Sequence, residues 1–291
     1  MGLNYFDEIK LSKEILKFEE KSKKIFTKTN DTNICWRVWG TGKPIIFLHG
    51  GYGSWKHWIK QIHFFSKNYT LFIPDMPGFG DSDDLKKPHT PEKIAKNLMD
   101  GFLKINPITN QKINIIGFSF GGLITGHLSY QFSKLNIFPE KIVLVGPGGL
   151  GAKRGPMEDM VRRNSKMTNN QILQAHKKNL AILMFANPLN IDDLSLYIQL
   201  QNTKHHRTKS RPISATDTLT KVLSKQSTTL YVLWGEKDST VGPYLEERMI
   251  ILRKVNKNVR FHIEFNSGHW IMYETAERFN EILNNILNRL F

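Results

Sequence analysis

Gly117-Phe118-Ser119-Phe120-Gly121 places a serine between two glycines at the junction of two contrasting segments. The apolar run Ile113-Asn114-Ile115-Ile116 before it reads as a buried strand, and Gly122 to Leu128 after it reads as a helix. A strand that turns into a helix over so few residues leaves no room for side chains two positions before and two positions after the serine. Both of those positions are glycine. Such a turn holds the Ser119 hydroxyl clear of the backbone, above the helix N-terminus. An ordinary strand-to-helix turn can have the same composition, so the rest of the chain decides what this serine is for.

Four further strand-like runs end in polar or glycine-rich loops. Pro44 to Leu48 runs into His49-Gly50-Gly51-Tyr52-Gly53, and Tyr69 to Asp75 into Met76-Pro77-Gly78-Phe79-Gly80-Asp81-Ser82. Thr229 to Gly235 leads to Glu236-Lys237-Asp238, and Val259 to Phe265 to Asn266-Ser267-Gly268-His269-Trp270. Each polar candidate stands where a strand stops and a loop begins, which is where open parallel sheets place their ligand crevice.

With Ser119, Asp238 and His269 following in that order, the chain resembles the α/β-hydrolase superfamily over roughly Ile34 to Phe291. The resemblance is carried by His49-Gly50-Gly51, Asp75-x-Pro-Gly-Phe-Gly-x-Ser82, Gly117-x-Ser119-x-Gly121-Gly122, Gly235-x-x-Asp238 and Gly268-His269. It implies a mostly parallel sheet flanked by helices, with a helical cap inserted. It also implies Ser119 as nucleophile, His269 as the base that takes its proton, and Asp238 as the group that orients the imidazole and stabilises its charged form. The expected oxyanion donors are the backbone N–H groups of Phe120 and Gly51. This chemistry calls for no metal or organic cofactor.

Val145 to Gly151 and Gly268-His269-Trp270 look like the branch containing meta-cleavage C–C hydrolases. That branch has Asn before the nucleophile, where this chain has Phe118, and a longer loop where this chain has Gly50-Gly51-Tyr52-Gly53. Serine at the turn excludes the epoxide hydrolases and haloalkane dehalogenases of this fold, which use Asp. Tyr52 replaces the proline of the His-Gly-Gly-Pro-Gly iminopeptidases. Carboxylic-ester hydrolysis and C–C hydrolysis of an anionic dienone acid remain, beside a ligand-binding protein of this fold with little turnover. The substrate-contact candidates are Gly50, Tyr52, Phe118, Trp270 and Arg207, with Arg211 and Arg163 behind Arg207. An arginine suits a substrate carboxylate because its planar fork binds bidentately.

The 291 residues suit one large domain with an insertion, and 40% hydrophobic residues supply a substantial core. The pattern divides the chain into a charged helical extension (1–30), a core (31–148 and 228–291) and a helical cap (149–227). Met157 to Lys166, Asn170 to Phe185 and Asp192 to Asn202 are the cap's helix candidates. Phe6, Ile9, Leu16 and Phe18 give the extension an apolar side for the body or a partner. No apolar run nears the ~18 residues of a membrane span, and Met1 to Lys24 has no uninterrupted hydrophobic region of a signal peptide, so the cytoplasm is the expected compartment. The net charge of +15 comes from scattered Lys without a nucleic-acid-binding signature, which reads as a solvated surface. The expected partner is a small-molecule substrate, with homo-oligomerisation left open.

Other polar residues read as structural. His205-His206 lacks further ligands at metal spacing. His57, His63, His127 and His262 read as surface or packing groups, Asp75 as part of the turn Asp75-x-Pro77-Gly78, and the lone Cys35 as a small buried residue. Met167, Met184, Phe185, Leu194 and Tyr197 read as cap packing.

Overall fold

A computed structural model of the chain describes residues 5–107 and 112–288, with side chains from residue 10 onward. The side chains of Phe6 and Ile9 therefore lie outside the described ones. Strands β1 (Lys23–Lys28), β2 (Asn33–Trp39), β3 (Lys43–Leu48), β4 (Tyr69–Pro74), β5 (Asn114–Phe118), β6 (Lys141–Val145), β7 (Leu230–Gly235) and β8 (Arg260–Glu264) form one sheet. Their order is β1-β2-β4-β3-β5-β6-β7-β8. Pairing is parallel from β4 through β8, whereas β2 runs antiparallel to both β1 and β4.

The central strands are apolar along their whole length because both faces of the sheet are covered. Side chains alternate across the pleat, so neighbouring residues feed different cores. Phe47, Ile116, Phe118, Val143, Val145 and Leu233 pack on one face with helices Ile59–Phe65 and Ala276–Asn288 and with Leu11 and Ile15 of the N-terminal helix Tyr5–Glu20. Leu48, Ile115, Leu144, Val232 and Trp234 pack on the other face with Pro91–Ile105, Phe120–Ser133 and Leu245–Val255. Fully burying one such side chain contributes about 1.5–3 kcal/mol.

Strand β4 lies on one side of β3 and β5 on the other. The chain therefore reverses its winding at the β3–β5 boundary, and the crevice at a sheet's carboxyl edge opens at such a point. The loops that leave these two strands carry Gly50-Gly51 and Ser119.

Two details differ from the sequence reading. Lys23–Lys28, assigned above to a helical extension, pairs with β2 over its full length as an edge strand. Only Ile25 and Thr27 turn inward while Phe26 and the lysines face out, so the segment looks like a charged tail until its backbone bonds are counted. Met157 to Lys166 forms no helix. Its charges offer no apolar stripe to bury, and the chain is held instead by Asn179, whose amide bonds both the N–H and the carbonyl of Val161 (2.8 and 3.0 Å).

Between β6 and β7 the chain forms helices Asn169–Leu183, Asp193–Lys204, Ser210–Ser214 and Thr218–Leu223, with one 3-10 turn at Pro188–Asn190 and no strand. Thr168 and Gln171 form a capping box at the first of these, and Asp192 caps the second through the Ser195 N–H. Among the described residues no helix is long and apolar enough to cross a membrane.

Burial holds the His49, His127 and His176 imidazoles down to about 4, well below the ordinary histidine value. Between that value and the unfolded pKa of about 6.5, the unfolded chain binds more protons than the native one, so stability rises with pH. The melting temperature is therefore expected to fall as pH drops from 6.5 towards 4, by about 2–4 °C per kcal/mol lost. A melting temperature that stays flat over that window in a thermal titration would contradict the neutral, buried state of these rings.

Candidate active site

Ser119 stands between β5 and the helix Phe120–Ser133 with φ +54°, a left-handed conformation that costs a non-glycine residue energy and is tolerated only where its surroundings enforce it. The surroundings here are backbone. A Cβ on Gly117 would stand 2.2 Å from the Gly121 carbonyl oxygen, and one on Gly121 would stand 2.3 Å from that of Leu48. Two glycines thus let the turn close on itself and on the end of β3. This contact also brings Gly50 beside the serine, since a Cβ there would lie 2.9 Å from the Phe118 ring and 3.4 Å from the Ser119 Cβ. The Phe120 N–H is the first of its helix and has no intrahelical acceptor.

Asp238 follows β7 in a turn closed by its own N–H to the Gly235 carbonyl (3.1 Å). One carboxylate oxygen accepts from the Thr240 N–H (2.8 Å) and hydroxyl (2.7 Å); the other points at His269 Nδ1 (2.7 Å). Burial alone would raise the Asp238 pKa, but the attraction of His269 and the bonds from His269 and Thr240 outweigh it and hold the carboxyl below its ordinary value. An ionised carboxylate only accepts, so Nδ1 carries the imidazole proton and Nε2 presents a lone pair. The His269 ring lies against Phe118, with centroids 4.8 Å apart, and against Gly146, where a Cβ would stand 2.9 Å from its Cε1. These are the neighbours of Ser119 on β5 and at the end of β6. No Ser119–His269 hydrogen bond is formed among the described residues, as is common without a ligand.

Glu274, which the sequence reading passed over, fastens the His269 loop. Its carboxylate accepts from the Gly268 N–H (2.7 Å) and from Ala186 N–H (3.0 Å), Asn187 N–H (3.0 Å) and Asn190 Nδ2 (3.3 Å). The Trp270 N–H bonds the Met184 carbonyl (2.9 Å). One acidic side chain and one amide thus tie the histidine loop to the segment after helix Asn169–Leu183.

Gly50 and Phe118 lie beside Ser119 and His269, though Phe118 and Trp270 are both fully buried and show no surface to a substrate, and two other candidates are engaged elsewhere. Tyr52 is 43% exposed, and its ring meets His206 at 4.0 Å. The Arg207 guanidinium bonds Asp84 and the carbonyls of Ser82, Gly80 and His205, so it holds the 80–84 loop and is not open to a substrate carboxylate. Trp270 is fully buried and donates to the His57 carbonyl (3.1 Å).

His57 is buried at the site's floor, its ring 5.6 Å from Phe118 and 5.0 Å from Trp270. Its Nδ1 accepts from the Gly50 N–H (3.2 Å). Neither Thr240, Glu274 nor His57 stands in a motif, and only the fold shows that they serve Asp238, the His269 loop and the Gly50–Phe118 contact respectively.

Asp75 sits beneath the site. It pairs with Arg37 (2.9 Å) and accepts from the N–H groups of Trp55 and Asp81 (2.9 and 3.0 Å). Cys35, Asp75 and Asp81 come close enough to hold a cation, and the Arg37 guanidinium occupies that place.

This fold is that of an α/β hydrolase, and the chain belongs to that family, whose sequence pattern (alpha/beta hydrolase fold) matches residues 43–276. The chain is 28% identical over 265 residues to a 2-hydroxy-6-oxo-6-phenylhexa-2,4-dienoate hydrolase of Burkholderia cepacia, a match covering 84% of this chain and 87% of that one. It is 26% identical over 261 residues to a 2-hydroxy-6-oxononadienedioate/2-hydroxy-6-oxononatrienedioate hydrolase of Comamonas testosteroni, with the same shares covered. Among solved structures, an esterase from Rhodococcus sp. ECU1013 superposes with a TM-score of 0.73 at 19% identity, covering 93% of this chain and all of that one. A meta-cleavage product hydrolase from Pseudomonas fluorescens IP01 gives 0.68 at 20%, covering 88% and 94%. At these identities the structures speak for the fold alone.

Proposed function

We propose that the protein is a serine hydrolase that cleaves a carboxylic ester of a small, partly hydrophobic substrate through an acyl-enzyme. The observation that carries the reading is the buried 2.7 Å bond from His269 Nδ1 to Asp238, beside a serine held at φ +54°. His269 Nε2 takes the Ser119 proton as the oxygen attacks the acyl carbon, then returns it to the leaving alcohol. Asp238 keeps the imidazole in the tautomer this needs and stabilises the imidazolium. The N–H groups of Phe120 and Gly51 receive the oxyanion. Water then attacks the acyl-enzyme by the same route. Residues 149–227 act as the cap of a core made of 31–148 and 228–291.

A second reading, C–C cleavage of an anionic dienone acid, is favoured by the names of the two relatives.

Turnover of p-nitrophenyl acetate and butyrate is to be compared with that of 2-hydroxy-6-oxo-6-phenylhexa-2,4-dienoate, alongside labelling by a fluorophosphonate. The ester reading expects labelling and a higher kcat/KM on an ester. A tenfold preference for the dienoate would replace it with C–C hydrolysis, and absence of both turnover and labelling would leave a binding protein.

A further inference from the structure

The segment carrying Arg207 is clamped at two points, to the loop after β4 and to Gly149. Besides the Arg207 bonds to residues 80–84, the Arg207 N–H donates to the Gly78 carbonyl (2.8 Å) and the Thr208 hydroxyl to that of Pro77 (3.1 Å). At the other end of the short helix Ser210–Ser214, the Ser214 carbonyl accepts the Gly149 N–H (2.8 Å). These anchors lay Ser210 over the loop that follows β3.

Ser210 is only 4% exposed, and its hydroxyl stands 2.4 Å from the point where a Cβ on Gly51 would be. That same point lies 3.8 Å from the Phe120 Cβ. The hydroxyl is thus packed against one residue of the expected oxyanion pair and near the root of the other's side chain. It makes no hydrogen bond among the described residues. Its oxygen is not among the fully enclosed unpaired polar atoms, so the unpartnered hydroxyl stays reachable by a molecule that enters beside Gly51. Gly51 is also explained, since any side chain at that position would fill the space the hydroxyl occupies.

We propose that Ser210 is a third oxyanion donor, supplied by the inserted segment. Resting on the reading of Ser119 as nucleophile, the inference assigns to the insertion a direct part in catalysis beyond covering the substrate. As Ser119 attacks, the acyl oxygen gains charge. The Ser210 O–H turns to donate to it beside the N–H groups of Gly51 and Phe120, and no proton is transferred. A donor that meets the substrate at the oxygen where charge develops binds the transition state more strongly than the ground state, so it acts on kcat. Arg207 and Thr208 are then positioning residues that hold the donor in place.

The experiment compares wild type with Ser210→Ala on a p-nitrophenyl ester and against a trifluoromethyl ketone, whose Ser119 adduct carries the same oxyanion. The expected result is a fall in kcat of about 100- to 1,000-fold, the range for loss of one side-chain oxyanion donor. KM and melting temperature should stay near wild type, and the inhibition constant should rise by a factor similar to the loss in kcat/KM. A merely structural hydroxyl would change the melting temperature or KM and leave ketone affinity in step with neither. A kcat and an inhibition constant both within twofold of wild type would overturn the assignment of Ser210 while leaving Ser119 intact. Absence of ester turnover, ketone inhibition and fluorophosphonate labelling in the wild type itself would overturn the nucleophile reading and Ser210's role with it.

Discussion

Ser119→Ala is expected to lower kcat on any ester the wild type turns over by roughly 10⁴- to 10⁶-fold, and to abolish fluorophosphonate labelling. The loss is large because the acyl-enzyme needs this one oxygen and no other side chain can replace it. Some rate over water persists, since binding and the oxyanion donors act without the nucleophile. The fold should be unaffected. The Ser119 side chain caps nothing in its helix, and alanine meets the same backbone restriction at φ +54° that serine already tolerates. Kinetics with intact-mass spectrometry of the probe adduct, beside a thermal melt, measure both claims. A variant that keeps a hundredth of the wild-type kcat, or that is still labelled, would remove Ser119 from the role.

Arg37→Ala is expected to cost about 3–5 kcal/mol of stability, the range for breaking a buried ion pair by removing one partner. Arg37 and Asp75 retain 2% and 1% of their side-chain exposure and lie 2.9 Å apart. The guanidinium also binds Glu19 of the N-terminal helix (2.8 Å from Nε) and Asp81 of the loop after β4. Without it, the Asp75 carboxylate stays buried and uncompensated while still accepting the N–H groups of Trp55 and Asp81. Adding Asp75→Asn should therefore recover at least about 1 kcal/mol, because the amide removes the buried charge while its single oxygen keeps one of the two N–H bonds. Urea titrations of the wild type, the single and the double variant provide the comparison. A single-variant cost below about 1 kcal/mol, or no recovery in the double variant, would mean that the buried charge is not what makes Arg37 matter.

The sheet's centre was legible because a strand covered on both faces must be apolar throughout, and Ile45 to Leu48, Ile115-Ile116, Ile142 to Val145 and Leu230 to Trp234 are. The turn at Ser119 was legible for a steric reason, since only glycine fits at 117 and 121. Strand β1 was not, because its pairing rests on backbone bonds to β2 that any side chain permits, and its outward lysines conceal it. Arg207 has the chemistry of a carboxylate ligand, but that chemistry is equally suited to Asp84 and the carbonyls of the neighbouring loop, and position decides between them. The same holds for Glu274, which joins two segments far apart in sequence, and for Ser210, which is an unremarked serine in a basic stretch.

Residue order was enough to specify the doubly covered sheet, the glycine-framed serine turn and the succession of Ser119, Asp238 and His269. Those features follow from local sterics and hydrophobic periodicity, which are written within a few residues of each other. Only folding settled which polar groups meet: Thr240 with Asp238, Glu274 with the His269 loop, Ser210 with Gly51. Such contacts join residues separated by anything from two positions to more than a hundred and depend on how whole loops dock, a sum of many small packing and hydrogen-bond terms that no short stretch of residues encodes.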